Sequence, residues 1–167
     1  MSGRKAFLIG VSVWFLAPFS ALASDCTAPP GPGVNWQRCY VDGRDLQGSD
    51  LSGARLVDTS FQRANLQGVD LSQANAYRAK FISANMKDAR LDDGTFGEAD
   101  FTKADLAGAS LQNADLRRAR FYRAVLRGAN LTGARTLAAD FAHADLSGAT
   151  WTDGRRVCAE GSRGQCN

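Results

Sequence analysis

The sequence has little of what enzymes use for catalysis. It contains one histidine, His143, so a nucleophilic triad would depend on that single side chain. It has no glycine-rich phosphate-binding loop and no cluster with metal-ligand spacing. Its apolar residues recur at one short interval, which leaves no room for an inserted catalytic loop. These absences predict a protein that is not an enzyme and has no catalytic residue, metal site or cofactor.

The sequence also lacks a large excess of charge of either sign. The 167 residues include 20 lysines and arginines and 17 acidic residues. Without Arg4 and Lys5, which belong to the N-terminal segment described next, 18 basic residues remain against 17 acidic ones, a net charge of +1. A balance so close to zero predicts neither a polyanionic nor a polycationic partner, and we do not expect nucleic acid to bind.

Residues 1–23 have the composition of a targeting segment rather than of a folded domain. Arg4 and Lys5 precede an uncharged run that ends in the tripeptide Ala-Leu-Ala at position 23. This order is typical of a secretory signal peptide. The run is short for a membrane anchor, and Pro18 interrupts it. We therefore expect cleavage after Ala23, no transmembrane segment in the mature chain, and a periplasmic or secreted protein.

The central part of the chain carries a five-residue repeat. Every fifth residue from Leu46 to Trp151 is Leu, Phe, Met or Trp, except at Ala76 and Thr136, and the residue two positions earlier is nearly always Ala. A period of five fits neither an amphipathic helix nor a strand, so the repeat is a stacking unit. If four units close one square coil, residues twenty apart lie above one another at about 4.8 Å.

Sorting the central residues by twenty tests this arrangement. Like residues should stack on like in a parallel solenoid, and two of the four columns are almost entirely leucine. A third column is entirely aromatic: Phe61, Phe81, Phe101, Phe121 and Phe141. The fourth contains both exceptions: Leu56, Ala76, Phe96, Leu116 and Thr136.

Outward charges twenty apart give an independent test, because opposite signs should stack. Two columns alternate in this way. They are Asp58, Arg78, Glu98, Arg118 and, beside them, Lys80, Asp100, Arg120, Asp140.

Several units resemble the pentapeptide-repeat family, whose pattern is A(D/N)LxG. Examples are the segments 64–68, 104–108 and 144–148, which are ANLQG, ADLAG and ADLSG. The resemblance covers residues 44–153 and implies an all-β fold, a right-handed quadrilateral parallel β-helix of about five and a half coils. It also implies that the central residue and the Ala two before it point inward. Residues 24–43 and 154–167 are then expected to be N-terminal and C-terminal caps for the open ends.

The four cysteines lie outside the repeats. Cys26 and Cys39 precede them, and Cys158 and Cys166 follow them. In an exported chain an even number of cysteines predicts disulfides, and four cysteines allow three pairings. We expect Cys26 to pair with Cys39 and Cys158 with Cys166, because the two groups lie at opposite ends of an elongated domain.

Two groups of outward side chains are candidates for an interaction surface. A basic group around Tyr122 has the composition of a site for phosphate, an acidic glycan or an anionic membrane, although carboxylates flank it. An apolar group on two adjoining faces has the composition of a protein-binding or self-association surface. The basic candidates are Arg118, Arg120 and Arg123, beside Arg117 and Arg127; the apolar ones are Val57, Tyr77, Ile82, Tyr122 and Leu137. At Thr136 we expect either a bent wall or an inward turn of Leu137.

The sequence predicts a non-enzymatic, exported pentapeptide-repeat protein that acts as a binding or scaffold module of the bacterial cell envelope. Its expected partner is another protein or an envelope component. One alternative is a DNA-mimic protein that binds a topoisomerase, since the family includes proteins that bind DNA gyrase; the near-neutral charge and the signal argue against it. The other is a glycan- or peptidoglycan-binding module. Neither the partner's identity nor the oligomeric state follows from the sequence.

Overall fold

The computed structural model describes residues 24–167, and the predicted signal peptide, residues 1–23, lies outside the described residues. Within residues 24–167 the chain forms neither a helix nor a continuous strand, and no described segment is a helix able to cross a membrane. Instead, twenty isolated parallel bridges each join two residues twenty apart, from Asn35 with Arg55 to Asn130 with Thr150. The chain is therefore a repeat solenoid in which four five-residue units separate stacked residues.

Every unit turns the chain in the same way. The carbonyl of the central residue Leu46 accepts a hydrogen bond from the Ser49 amide at 3.1 Å, and Gly48 between them has a φ of 63°. A positive φ at the third turn residue alone is the mark of a type II turn. Fifteen other such turns place a non-glycine residue there, for example Arg118 at 59°. The bonds between coils hold these residues in a backbone region that they otherwise avoid.

The aromatic column predicted from the sequence is confirmed. Phe61, Phe81, Phe101 and Phe121 are fully buried, and the rings from Phe61 to Phe141 are nearly parallel, with successive centroids 4.8 to 5.1 Å apart. This separation equals the spacing of hydrogen-bonded strands, so ring stacking follows from backbone stacking. Offset stacking of this kind stabilises a core beyond the burial of area alone. We call the side of the rod with this column the phenylalanine wall.

The neighbouring column contains both irregular central residues, and we call that side the irregular wall. Ala76 is fully buried, and the next central residue, Phe96, is larger than the usual leucine. Phe96 also lies against Gly94, which takes the inward position usually held by Ala. A Cβ on Gly94 would lie 2.5 Å from Phe96 Cε2. The small residues at 76 and 94 therefore compensate for the volume of one phenylalanine.

The N-terminal end already follows the stacking pattern upstream of residue 44, where we placed the cap boundary. Trp36 and Val41 are fully buried in central positions, and the bridges begin at Asn35. The Trp36 Nε1 donates a hydrogen bond to the Ala28 carbonyl at 3.2 Å. The predicted Cys26–Cys39 disulfide is present, with its Cα atoms 5.5 Å apart. This end is therefore closed by a segment that stacks like a further coil of the solenoid, not by a separately folded cap.

The C-terminal segment folds back across the end of the solenoid. It forms antiparallel bridges from Asp145 to Arg163 and from Thr150 to Val157. Its carbonyls take the place of a next coil, because Leu146 and Gly148 donate their amides to it, each at 2.9 Å. The predicted Cys158–Cys166 disulfide is present, with its Cα atoms 4.8 Å apart.

This segment covers only part of the end. The amides of Thr136 and Ala138 on the irregular wall bond to no described residue, and neither do those of Phe141 and His143 on the phenylalanine wall. We call residues 134–143 the open edge.

The compensation between Gly94 and Phe96 makes a direct prediction. Gly94→Ala should lower the free energy of unfolding by about 1 to 3 kcal/mol, because the new methyl group overlaps the Phe96 ring. Phe96→Leu removes the overlapping atom, so the double variant should lose less stability than the sum of the two single variants. Chemical denaturation of all four proteins measures this coupling. Additive losses would show that the two positions do not share one space.

Candidate interaction surface

The apolar candidates lie on two adjoining walls of the rod. Val57, Tyr77 and Leu137 follow the central residues of the irregular wall, and Ile82 and Tyr122 follow those of the phenylalanine wall. Val57, Ile82 and Tyr122 are half-buried, whereas Tyr77 is 36% and Leu137 77% exposed. Leu137 does not turn inward to replace Thr136. Thr136 is part of the open edge and stays half-buried there, because no further coil is stacked on it.

A notch lies on the irregular wall between Tyr77 and Leu137. Its volume is about 620 Å³, and its floor is at Gly97, the only glycine in this outward column. The Tyr77 ring lies against Gly97, because a Cβ there would be 3.3 Å from Tyr77 Cδ2. Arg117 and Leu137 form the opposite side. Sequence reasoning missed Gly97, although the gap that it makes in a column of larger residues was a signal.

One buried carboxylate organises the side of the notch. The Asp115 side chain is 7% exposed and accepts two hydrogen bonds from Arg117, at 2.8 Å from Nε and 2.7 Å from Nη2. Arg135 adds a third contact from Nη2 at 3.1 Å. The hydrogen bond from Arg117 lowers the pKa of the Asp115 carboxyl, against the opposing effect of burial. Arg117 is therefore held in place rather than free to move.

A second polar group fixes the other side of the notch. The carboxylate of Glu98 lies near the Tyr77 hydroxyl and raises the pKa of the Tyr77 phenol. Glu98 in turn pairs with Arg118, whose Nη1 lies 3.5 Å from Oε1. The notch thus combines an oriented aromatic ring, an exposed leucine and a fixed guanidinium group.

The phenylalanine wall carries an open groove of about 720 Å³ along the rod. Its sides are the two alternating columns identified in the sequence, and their opposite charges are in contact. Nitrogen to oxygen distances are 3.2 Å from Arg78 to Asp58 and 3.5 Å from Arg120 to Asp100. We call this surface the charged face. Its charges cancel along the rod, so it has no large field of one sign.

The other arginines of the predicted basic group point to different neighbours. The Arg123 guanidinium lies 5.2 Å from the centroid of the Tyr122 ring, a cation–π contact. Tyr122 also meets His143 edge to face at 5.5 Å. Arg127 pairs with Asp145 at 3.2 Å and with Glu160 of the C-terminal segment at 2.9 Å. These arginines do not converge on one site.

Within residues 24–167, no group of His, Cys, Asp and Glu is arranged to hold a metal.

Comparison with known proteins gives the family. The family model for pentapeptide repeats matches residues 45–75, 59–97 and 99–135, in eight copies. The chain belongs to the pentapeptide repeat family. No curated protein sequence matches this pentapeptide repeat protein significantly.

Solved structures of pentapeptide repeat proteins are similar to it. HetL, involved in heterocyst differentiation regulation in Nostoc sp. strain PCC 7120, is 29% identical over 74% of this chain, with a TM-score of 0.50. The match spans 64% of HetL, less than two thirds of its length. Rfr23 from the cyanobacterium Cyanothece 51142 is 25% identical over 60% of this chain and 82% of its own, with a TM-score of 0.58. These likenesses support the solenoid fold.

The buried carboxylate leads to a prediction about pH. The pKa of Asp115 is lowered in the folded protein, so its contribution to stability is present above the ordinary aspartate value of 3.8 and is lost as the pH falls through the folded value. Asp115→Asn should therefore lose about 1 kcal/mol of stability at pH 7 and show a weaker decline as the pH falls from about 5 to about 2.

Thermal unfolding across this pH range measures the effect. Arg117→Gln should weaken the decline in the same way, because Arg117 is the main cause of the lowered pKa. Arg123→Gln is the matched control, since Arg123 contacts Tyr122 and forms no ion pair with a described residue. Equal pH dependence in all variants would contradict this role of Asp115.

Proposed function

We propose that this pentapeptide repeat protein is an exported, non-enzymatic binding or scaffold module of the bacterial cell envelope. We also take its solenoid to be the right-handed quadrilateral parallel β-helix, of about five and a half coils, that the family resemblance implies. Members of the family are in general structural or binding proteins. The observation that carries the proposal is the filled core: stacked side chains occupy the rod's interior, so binding is left to its outer walls.

The two disulfides support the location. They close local loops at both ends of the rod, and no described cysteine is free. Structural disulfides persist in oxidising compartments and are rare in the cytosol. Together with the signal-like N-terminal segment, they favour the periplasm or the exterior of the cell.

The notch on the irregular wall is the surface that best suits a protein partner. Tyrosine and arginine are the residues that most often dominate binding energy at protein interfaces. Here Tyr77 and Arg117 are oriented by Glu98 and Asp115, so less side-chain freedom is lost when a partner binds. Leu137 adds exposed apolar area beside them. We infer that the partner inserts an apolar or aromatic group into the notch between Tyr77 and Leu137.

The alternative functions have weaker support. DNA mimicry needs an extended acidic surface, whereas the charged face alternates cations with carboxylates. Glycan binding at Arg118 and Arg123 would use two groups with different contacts, since Arg118 pairs with Glu98 and Arg123 lies over Tyr122. We therefore place the partner on the notch.

Site-directed photocross-linking tests this proposal. The full chain, with a photoreactive residue at Tyr77, is expressed in a bacterium and recovered from the periplasm. We expect a mature protein that begins at Ser24 and a reproducible cross-link to one envelope component. Arg117→Ala or Leu137→Asp should reduce that cross-link about tenfold, because each removes part of the side of the notch that faces Tyr77.

The matched control carries the photoreactive residue at Lys87, an exposed position on the wall opposite the notch. That control should give no such product. Equal cross-linking from both positions would argue against the notch, and a cytoplasmic protein that retains Met1 would argue against export.

A further inference from the structure

The charged face has a pattern that the ion pairs within one chain do not account for. At the same height on the rod its two columns carry the same sign: Arg78 lies beside Lys80, and Glu98 beside Asp100. Like charges side by side are unfavourable unless something else neutralises them. Lys80 forms no ion pair with any described residue, although it lines the groove. The arginines of this face are largely exposed, with Arg78 57% and Arg120 69% accessible, whereas the side chains of Glu98 and Asp100 are 38% and 20% accessible.

The signs alternate over six levels of the face. From the N-terminal end, successive levels are positive, negative, positive, negative, positive and negative. They are Arg38 with Tyr40, Asp58 with Ser60, Arg78 with Lys80, Glu98 with Asp100, Arg118 with Arg120, and Ala138 with Asp140. Because the number of levels is even, an inverted copy presents the opposite sign at every level, whereas a copy in the same direction presents the same sign.

The two ends of the whole rod also differ in net charge. Residues 24–116 contain nine basic and thirteen acidic side chains, and residues 117–167 contain nine basic and four acidic ones. The N-terminal part is therefore negative by four charges and the C-terminal part positive by five. Two copies placed side by side attract each other when they run in opposite directions.

We propose that two copies of this chain associate face to face and antiparallel through the charged face. The two-fold axis lies in the interface, at right angles to the stacking direction, between the third and fourth levels. Each column then meets its own copy in inverse order. Lys80 faces Asp100 of the second copy, Arg78 faces Glu98, and each contact occurs twice.

The third outward column of this wall fits the same arrangement. Ile82 then lies opposite Thr102, and Gln62 opposite Tyr122, so no like charges meet there. The notch at Gly97 lies on the irregular wall and stays accessible at the edge of the dimer. Glu98 and Arg118 border both surfaces. Lys80 and Asp100 line only the charged face, and Tyr77 and Leu137 line only the notch, so variants at these four positions test the two proposals separately.

The size of the face predicts a weak dimer. Six levels are separated by five spacings of about 4.8 Å, so the face is only about 24 Å tall and the buried area falls at the low end for specific complexes. Exposed ion pairs are also screened by salt. We expect a concentration-dependent dimer in the micromolar range or weaker, whose dissociation constant rises at least about tenfold between about 50 mM and about 500 mM salt.

Charge exchange tests the pairing with sedimentation velocity on the disulfide-bonded protein from the full chain. Lys80→Glu places two Glu–Asp contacts in its homodimer, and Asp100→Lys places two Lys–Lys contacts in its own. Each variant alone should be monomeric at concentrations where the wild type is dimeric. An equimolar mixture of the two should form heterodimers, because both contacts become attractive again.

Two controls keep the test decisive. Lys87→Glu makes the same charge change on another wall and should dimerise like the wild type. Asp100 also accepts a hydrogen bond from the Thr102 amide, and Asp100→Lys removes that bond together with the charge. A mixture of Arg78→Glu and Glu98→Arg repeats the charge exchange and leaves that bond intact. The proposal is overturned if the wild type is monomeric up to about 1 mM protein at low salt, or if mixing restores nothing. If neither salt nor Lys80→Glu changes the dissociation constant of the dimer, association takes place through another surface, such as the open edge.

Discussion

Backbone hydrogen bonds between residues nineteen and twenty-one positions apart determine the rest of this molecule. The Leu46 amide bonds to the Asn65 carbonyl at 2.8 Å, and the Asn65 amide returns to Arg44 at 2.9 Å. Because these bonds repeat along the rod, stacked residues are always twenty positions apart. An inserted residue would break the bonds of its coil. Every side chain therefore has a fixed neighbour above and below it. The aromatic stack, the charge columns and the left-handed turn residues all follow from that constraint.

The same constraint separates structure from function on each wall. Central residues and the alanines before them are buried, so a change there alters stability. Outward residues mainly contact their column neighbours and the adjacent columns, so a change there alters the surface. The irregular wall is where the two overlap, because Gly94 and Ala76 make room for Phe96 inside while Gly97 opens the notch outside.

The sequence was sufficient for the features that depend on the period. The aromatic column, the alternating charges and both disulfides were predicted from residue spacing, and the structure contains them. It was insufficient where one residue's role depends on the shape of a neighbour. Gly97 matters because Tyr77 lies over it, and Asp115 because two arginines reach it. The early start of stacking at Asn35 was missed because Val34 and Cys39 replace the usual alanines.

Deletions of different length test the twenty-residue register most directly. Removal of residues 84–103 joins equivalent positions and leaves every later column in place. Removal of residues 84–93 deletes half as many residues but moves Phe101 and all later central residues by two walls. We expect the longer deletion to unfold cooperatively and to be more stable than the shorter one, by about 2 kcal/mol or more, as measured by chemical denaturation. A shorter deletion as stable as the longer one would contradict the account.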